Sequence, residues 1–436
     1  MRIPSLIVYF LVTPITGFLA PRDLSVHVRP TALQCSHVNL RGRSPTHFPK
    51  KSEPAQAAAL ALSLMLSFTT MTVATPPVSA AVAPLADVGL REFLVKDGGA
   101  LLRLSLPSSM TAASPMDLPN DPGRQAQEAV ELVKLRLEQV GFSGKPAVWS
   151  ACLKEVNTAN SIVQGEDFLK SVPQSRLKKA KEIVEETDRS LEELRDAIRK
   201  EDIKGTLAAQ ERAADQVYQV RKLAMKSDLP YEIPAEFASF PRLTGRATVR
   251  MEIARGGGSS KPFVLDDGTK SSTLPFDLVV DGYRAPITGG NFVDLVKRKM
   301  YDGTTVSSQN ELFVNVGPEK GVRKIPLELF YKKDTTPAYH YSSDDDLRAT
   351  EAFADPFQAV GALGMIRDPE EPDTASSQFF FLKWDQGLVA PGRNTLDGSS
   401  ACFGYVVKNQ GAIEQITASD TILKATIVEG VEFLKS

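Results

Sequence analysis

The sequence predicts a multidomain α+β chain, an N-terminal antiparallel helical bundle followed by a β-barrel, and three observations carry that expectation. Apolar residues between 120 and 224 recur at steps of three and four, the period of amphipathic helices. From about residue 244 onward, short apolar–polar alternations replace that period, as in half-buried strands. The stretch from Gly361 to Tyr405 then sets Ser376-Ser377-Gln378-Phe379-Phe380-Phe381 between two glycine-containing runs, Gly361-Ala362-Leu363-Gly364-Met365 and Phe403-Gly404-Tyr405. In a strand, Phe379 and Phe381 point to one face and Gln378 and Phe380 to the other. One face can fill a barrel; the other can present an amide and an aromatic ring to a peptide. An ordinary core strand is the competing reading of these residues taken alone.

Length and charge bound the function. A chain of 436 residues has room for about two or three domains. Residues 1–83 carry seven Lys/Arg against Asp23 and Glu53, whereas the remainder is acidic by seven charges. A mildly acidic body argues against nucleic acid as a partner. Cys35 lies in the leader, which leaves Cys152 and Cys402: no disulfide framework and no zinc site, with a single bridge between domains as the remaining alternative. His340 is the one histidine beyond the leader, which excludes histidine triads and His-rich metal sites from the body. Asp344-Asp345-Asp346 lacks the spaced ligands and distal glutamate of a calcium loop. No cofactor or metal is expected.

Residues 1–83 read as a targeting leader. Leu6 to Val12 follows Arg2 and reads as a secretory signal, and residues 22–49 are basic and almost free of acid, like a transit peptide. Ala55 to Val73 follows Lys50-Lys51 and ends at Val78-Ser79-Ala80-Ala81-Val82-Ala83, where small residues alternate as a signal peptidase requires. The run approaches the ~20 residues that span a bilayer, so a membrane anchor competes. Its Ala, Ser and Thr content makes it weakly hydrophobic and favours a cleaved transfer signal of the Sec type. Gly17-Phe18-Leu19-Ala20-Pro21 resembles, with Leu19 inserted, the Phe-Ala-Pro junction of algae whose plastids lie inside extra membranes. Three addresses in series imply a protein of the thylakoid lumen of a complex plastid, with no stable membrane span in its mature form.

The bundle is expected over 84–228. Asn120-Asp121-Pro122 is a helix start, and Val130, Val133, Leu137 and Val140 follow at helical spacing. A second segment runs from Trp149 to Val163. A third carries Leu177, Ala180, Val184, Leu191, Leu194 and Ile198, with Thr187 in the gap, and a fourth Ile203, Leu207, Ala214, Val217 and Ala224. Each has one narrow apolar stripe, so the four pack on one another. The third also keeps heptad spacing, which leaves a dimer through the helical domain open. Residues 229–246, with Pro230, Pro234 and Pro241 among apolar residues, form a linker able to lie along a neighbouring surface. The barrel follows over 247–436.

The motifs of this second half resemble the cyclophilin family of prolyl isomerases. Beside the Ser-Gln-Phe-Phe strand and Phe-Gly strand stand Asn394-Thr395-Leu396-Asp397-Gly398 and Pro286-Ile287-Thr288-Gly289-Gly290-Asn291-Phe292, the latter like the Pro-x-Thr-x-x-Asn-Phe opening of that family's first helix. In physical terms Thr288 is read as the N-cap of that helix. With the helical segment and the Pro-Tyr-Glu-Ile-Pro linker, the resemblance narrows to two-domain thylakoid-lumen members. It implies an eight-stranded cyclophilin-like β-barrel, polypeptide clients, and a link to photosystem II assembly.

The resemblance also assigns a site, in altered form. Aligned without gaps over Val306 to Gly317, the catalytic arginine becomes Ser308, the pocket methionine Val314 and the pocket glutamine Val316, with Phe313 beside them. The backbone-binding Ala-Asn pair falls at Ile366-Arg367. Gln378, Phe380 and Leu396 are kept, and the pocket histidine becomes Ser400. Prolyl isomerisation breaks no covalent bond; its barrier of ~18–20 kcal/mol is lost amide resonance. Catalysis therefore needs a donor to the prolyl nitrogen as it becomes pyramidal, and a guanidinium, charged and with several donors in fixed geometry, is suited to that. A serine hydroxyl is shorter and neutral. Losing one positioned donor costs about 2.7–4 kcal/mol in comparable sites. The expectation is a polypeptide-binding barrel with weak or absent turnover; Arg367 as a replacement donor, a working isomerase, and a regulatory or structural protein whose barrel is only a scaffold are the alternatives.

Overall fold

The computed structural model describes residues 95–108, 121–138, 145–225, 228–318, 323–384 and 396–436. The leader, including its proposed signals, lies outside them, as do Asn120, Val140, Asn394 and Thr395.

Six helices precede or interrupt the sheet: α1 (Gly98–Ser105), α2 (Pro122–Glu138), α3 (Pro146–Val163), α4 (Leu177–Arg199), α5 (Ile203–Ala224) and α6 (Pro286–Lys297). Helix α2 starts because the Asp121 carboxylate accepts the amides of Gly123 and Arg124, both at 3.2 Å, and Pro122 needs no acceptor. Helices α2–α5 bury their stripes in one common core that includes Val130, Val133, Trp149, Val156, Leu191, Leu194 and Val217. Thr187 belongs to the stripe: it is buried, and its hydroxyl donates to the Ile183 carbonyl at 2.8 Å. The heptad face of α4 is thus used within the chain. Ile203, assigned to the α5 stripe from its spacing, instead lies exposed at the first turn. Among the described residues no helix is long and apolar enough to cross a membrane.

Eight strands form one antiparallel sheet: β1 (Arg246–Ala254), β2 (Thr273–Asp281), β3 (Ser308–Gln309), β4 (Phe313–Val316), β5 (Ala362–Met365), β6 (Phe379–Leu382), β7 (Cys402–Lys408) and β8 (Thr421–Glu429). Their order is β8-β1-β2-β7-β5-β6-β4-β3. The sheet curls until its ends meet: Gly303 and Val306 donate to the carbonyls of Ile422 and Asp420 at 2.8 and 2.9 Å. Inside lie Phe276, Phe379, Phe381 and Phe403, with Phe292 of α6 about 5.1 Å from both Phe379 and Phe403.

One local reading changes. Helix α6 is not capped by Thr288, which sits inside it. The cap comes from Glu328, whose carboxylate accepts the amides of Ile287 and Thr288 at 3.2 and 2.8 Å. Asn291 instead ties the helix to the Ser376 carbonyl. The linker lies along the barrel: Phe237 is buried in the barrel core against Tyr339, and the Tyr231 hydroxyl donates to the Tyr283 carbonyl. Cys152 and Cys402 are both free thiols.

Helix α1 was not legible in the sequence. It is only eight residues long, and it packs on the sheet rather than inside the bundle. Gly98 allows this, because a Cβ there would stand 2.7 Å from the Tyr405 side chain. On its other side, buried Arg103 donates to Glu131 of α2 and to Glu211 and Asp215 of α5. Its last carbonyls are held by arginines from both parts of the chain. Arg221 donates to the Arg103 and Leu106 carbonyls at 2.6 and 2.8 Å, Arg246 to Leu102 at 2.6 Å, and Arg284 to Ser105 at 2.7 Å. Cations at a helix C-terminus are favourable on electrostatic grounds.

Candidate functional site

Strand pairing builds the site as a row. Gly364 of β5 lies opposite Phe380 of β6, Phe380 opposite Asn315 of β4, and Asn315 opposite Ser308 of β3. Directly opposed residues share a face, so these four run side by side across the outside of the barrel. Gly364 is required there, because a Cβ would run into the Phe380 ring. The ring meets Phe313 edge-on at 4.9 Å and stacks on Phe357 at 5.6 Å.

This register corrects two assignments. Val314 and Val316 are both 0% exposed and point into the barrel core, where nothing bound outside can touch them. The outward positions of this strand are Phe313 and Asn315. Phe313 lies on the outer layer, packed beside Phe380. Assigning this strand one residue out of register inverts the face of every side chain on it.

The far end of the row is polar and neutral. Asn315 donates from Nδ2 to the Ser308 hydroxyl at 2.8 Å, and Ser308 is exposed. Among the described residues no arginine or lysine side chain hydrogen-bonds to Ser308, Asn315 or Gln378. Arg367 is engaged elsewhere: its Nε donates to the Ser399 carbonyl at 2.6 Å and its Nη1 to those of Asp368 and Pro369 at 2.7 and 3.2 Å. Lys383, one residue beyond β6, donates to the Asn310 carbonyl and pairs with Glu414.

The remaining assigned residues surround the ring. Ile366 and Leu396 pack on the same apolar layer as Phe313 and Phe380. The Ile366 amide donates to the Gln378 carbonyl at 3.0 Å, which brings those two residues together. Ser400 donates its amide to the Leu396 carbonyl and closes the turn of Asp397 and Gly398. Asp397 in that turn accepts the Phe357 amide at 2.8 Å and so positions the ring that stacks on Phe380. Sequence reasoning missed Phe357, Asn315 and Gly364. The alternation of apolar and other residues along Phe313-Val314-Asn315-Val316 was a signal for the second.

The aromatic end of the row is buried. Phe380 is 5% exposed, part of one apolar layer that joins Phe357, Leu382 and Tyr405 to Val95, Leu101 and Leu104 from α1 and the residues before it. The Gln358 side chain fixes this cover by donating to the Val95 carbonyl at 2.8 Å. Beneath the end of α1 lie Asp281, paired with Arg246, and Asp355, whose carboxyl is pushed up to about 7 by burial and by the nearby Asp281 charge. Among the described residues no cluster of His, Cys, Asp or Glu is arranged to hold a metal.

Comparison with known proteins matches both halves. A family model described as cyclophilin type peptidyl-prolyl cis-trans isomerase/CLD covers residues 269–434. One described as the PsbQ-like domain of CYP38-like peptidyl-prolyl cis-trans isomerases covers residues 97–225. A putative thylakoid lumen peptidyl-prolyl cis-trans isomerase of Synechocystis is 33% identical over 393 residues, 86% of this chain and 93% of that protein. The chloroplastic peptidyl-prolyl cis-trans isomerase CYP38 of Arabidopsis thaliana is 27% identical over 424 residues, 93% and 91% of the two chains. A crystal structure of a Cryptosporidium parvum cyclophilin-type isomerase aligns over 42% of this chain and 98% of its own, with 14% identity and a TM-score of 0.28.

Proposed function

Because the chain belongs to the cyclophilin-type peptidyl-prolyl cis-trans isomerase family, we propose that it binds proline-containing polypeptide segments in the thylakoid lumen and isomerises them weakly or not at all. The observation that carries this reading is the row from Gly364 to Ser308. Its aromatic end keeps an apolar surface suited to a prolyl ring. Its donor end offers a hydroxyl and an amide in place of a guanidinium. An amide and a hydroxyl donate without charge, and charge-assisted bonds are roughly twice as strong as neutral ones. Holding a chain survives that exchange; stabilising a pyramidal nitrogen does not. Photosystem II subunits undergoing assembly are the clients that the resemblance implies.

A second reading is favoured by one feature, the α1 segment that shares one apolar layer with Phe380. An enzyme whose site is closed by its own N-terminal segment gains activity when that segment is removed. A protease-coupled assay on a Xaa-Pro peptide separates the two, run on residues 84–436 and on the barrel from residue 229. The first reading expects little catalysis from either form, with the peptide bound more tightly by the barrel alone. Catalysis by the isolated barrel at the level of ordinary cyclophilins would establish the second.

A further inference from the structure

A cleft of about 260 Å3 opens where α5 meets the barrel, lined by Tyr218, Lys222, Thr248, Val279, Tyr283 and Phe433 among others. None of the residues in the Gly364–Ser308 row borders it. Its floor is the Arg246 guanidinium, 5.8 Å from the centre of the Tyr218 ring and 6.0 Å from that of Tyr283. That charge is matched by buried Asp281.

The mouth is not matched. Arg176 donates from Nη1 to the carbonyls of Leu223 and Met225 at 3.1 and 2.8 Å, contacts that leave its charge intact, and among the described residues no carboxylate pairs with it. Lys222 reaches Glu429 at 3.0 Å, an ion pair whose carboxylate side is 64% exposed and therefore weakly held. The three cations Arg176, Lys222 and Arg246 stand against the two acids Asp281 and Glu429, which leaves one positive charge in excess. Aromatic walls below a cationic mouth are complementary to a group that is apolar at one end and anionic at the other.

We propose that this cleft is a second polypeptide-binding site, which takes an aromatic side chain followed by a carboxylate on an extended segment. The ring enters between Tyr218 and Phe433, and the carboxylate meets Arg176 and Lys222, displacing Glu429 from the latter. The volume falls just below the ~300–1,000 Å3 of ligand pockets. It holds one large side chain and not a cofactor. The exposed Arg176, Gln219 and Glu429 at its border leave it open to solvent, so the chain that delivers the ring can continue outside. Because the lining comes from both α5 and the barrel, occupancy fastens the two together.

The test is fluorescence anisotropy on the chain from residue 84, with a labelled peptide Gly-Ser-Phe-Asp-Gly-Ser and its Phe→Ala and Asp→Asn forms. The parent peptide is expected to bind, and each altered peptide at least tenfold more weakly. Thr248→Trp fills the cleft and is expected to abolish binding. Gln219→Glu, at an exposed helical position that folding tolerates, is expected to weaken it several-fold by opposing the carboxylate, and decides the matter should Thr248→Trp fail to fold. A labelled Xaa-Pro peptide, measured on the same variants, is expected to be unaffected. Equal binding of all three acidic-series peptides, undiminished binding to folded Thr248→Trp or to Gln219→Glu, or no binding at millimolar peptide would each overturn the proposal. Loss of the Xaa-Pro peptide alone would count against the barrel reading and leave this one standing.

Discussion

The two faces of β6 carry the same side chain and owe their burial to different parts of the chain. Phe379 and Phe381 point inward and are shielded by the barrel itself, with Phe292, Phe276 and Phe403 around them. Phe380 points outward and is nearly as buried, yet its cover is Phe357, Phe313 and the apolar layer that α1 completes. Inner burial is a property of the fold. Outer burial is conditional on docking, and the docked segment is an eight-residue helix held at its end by three arginines. Site accessibility can therefore change while the barrel stays intact.

The sharpest way to break this contrast is to truncate the two rings. Phe379→Ala is expected to destabilise the protein by about 3–5 kcal/mol, with or without the N-terminal region, as for other buried phenylalanines. Phe380→Ala is expected to cost a comparable amount in the chain from residue 84 and clearly less in the barrel from residue 229. Urea unfolding of the four proteins measures this, and equal costs for Phe380→Ala in both lengths would show that α1 contributes no cover.

A smaller effect tests the donor end of the row. Ser308→Arg in the isolated barrel is expected to raise kcat/KM on a Xaa-Pro peptide by at least about tenfold, roughly 1.4 kcal/mol of transition-state stabilisation. That is less than the loss expected from removing a native donor, because the arginine lacks a site evolved around it. No gain, with peptide affinity unchanged, would place the catalytic defect elsewhere than at residue 308.

A further test, read as a pH dependence, concerns the interface beneath α1. Burial raises the Asp355 carboxyl to about 7 in the folded chain, against ~3.9 for an unperturbed aspartate. A raised acid means that the folded state binds the proton more tightly. Stability is then greatest at low pH, falls as pH rises between those two values, and is level above about 7. The slope for one proton is at most about 1.4 kcal/mol per pH unit. Asp355→Asn should flatten the loss between pH 5 and pH 7 in urea melts; an unchanged profile would assign the titration to another group.

Much of the barrel was legible because its signals are local. The alternation in Arg246–Ala254 and the Ser-Gln-Phe-Phe strand fix faces over a few residues, and strand periodicity needs no partner to be read. The site was legible in pieces. Its aromatic members announced themselves by type, whereas Val314 and Val316 were assigned outward although their apolar character on a strand with Asn315 between them fits the core. The cap of α6 was invisible, since Glu328 lies 40 residues from Thr288.

The sequence by itself determined the order of the two halves, four of the six helices as amphipathic units, the inward rings, and the absence of an arginine at Ser307 and Ser308. Apolar periodicity and side-chain chemistry are carried by neighbours along the chain, so they survive without coordinates. Only the tertiary structure decided that α1 lies on the outer face of the sheet, that Gly364 makes room for Phe380, and that Phe357 closes over it. Those outcomes depend on which residues meet across strands, and strand register is set by long-range packing that no short window of sequence contains.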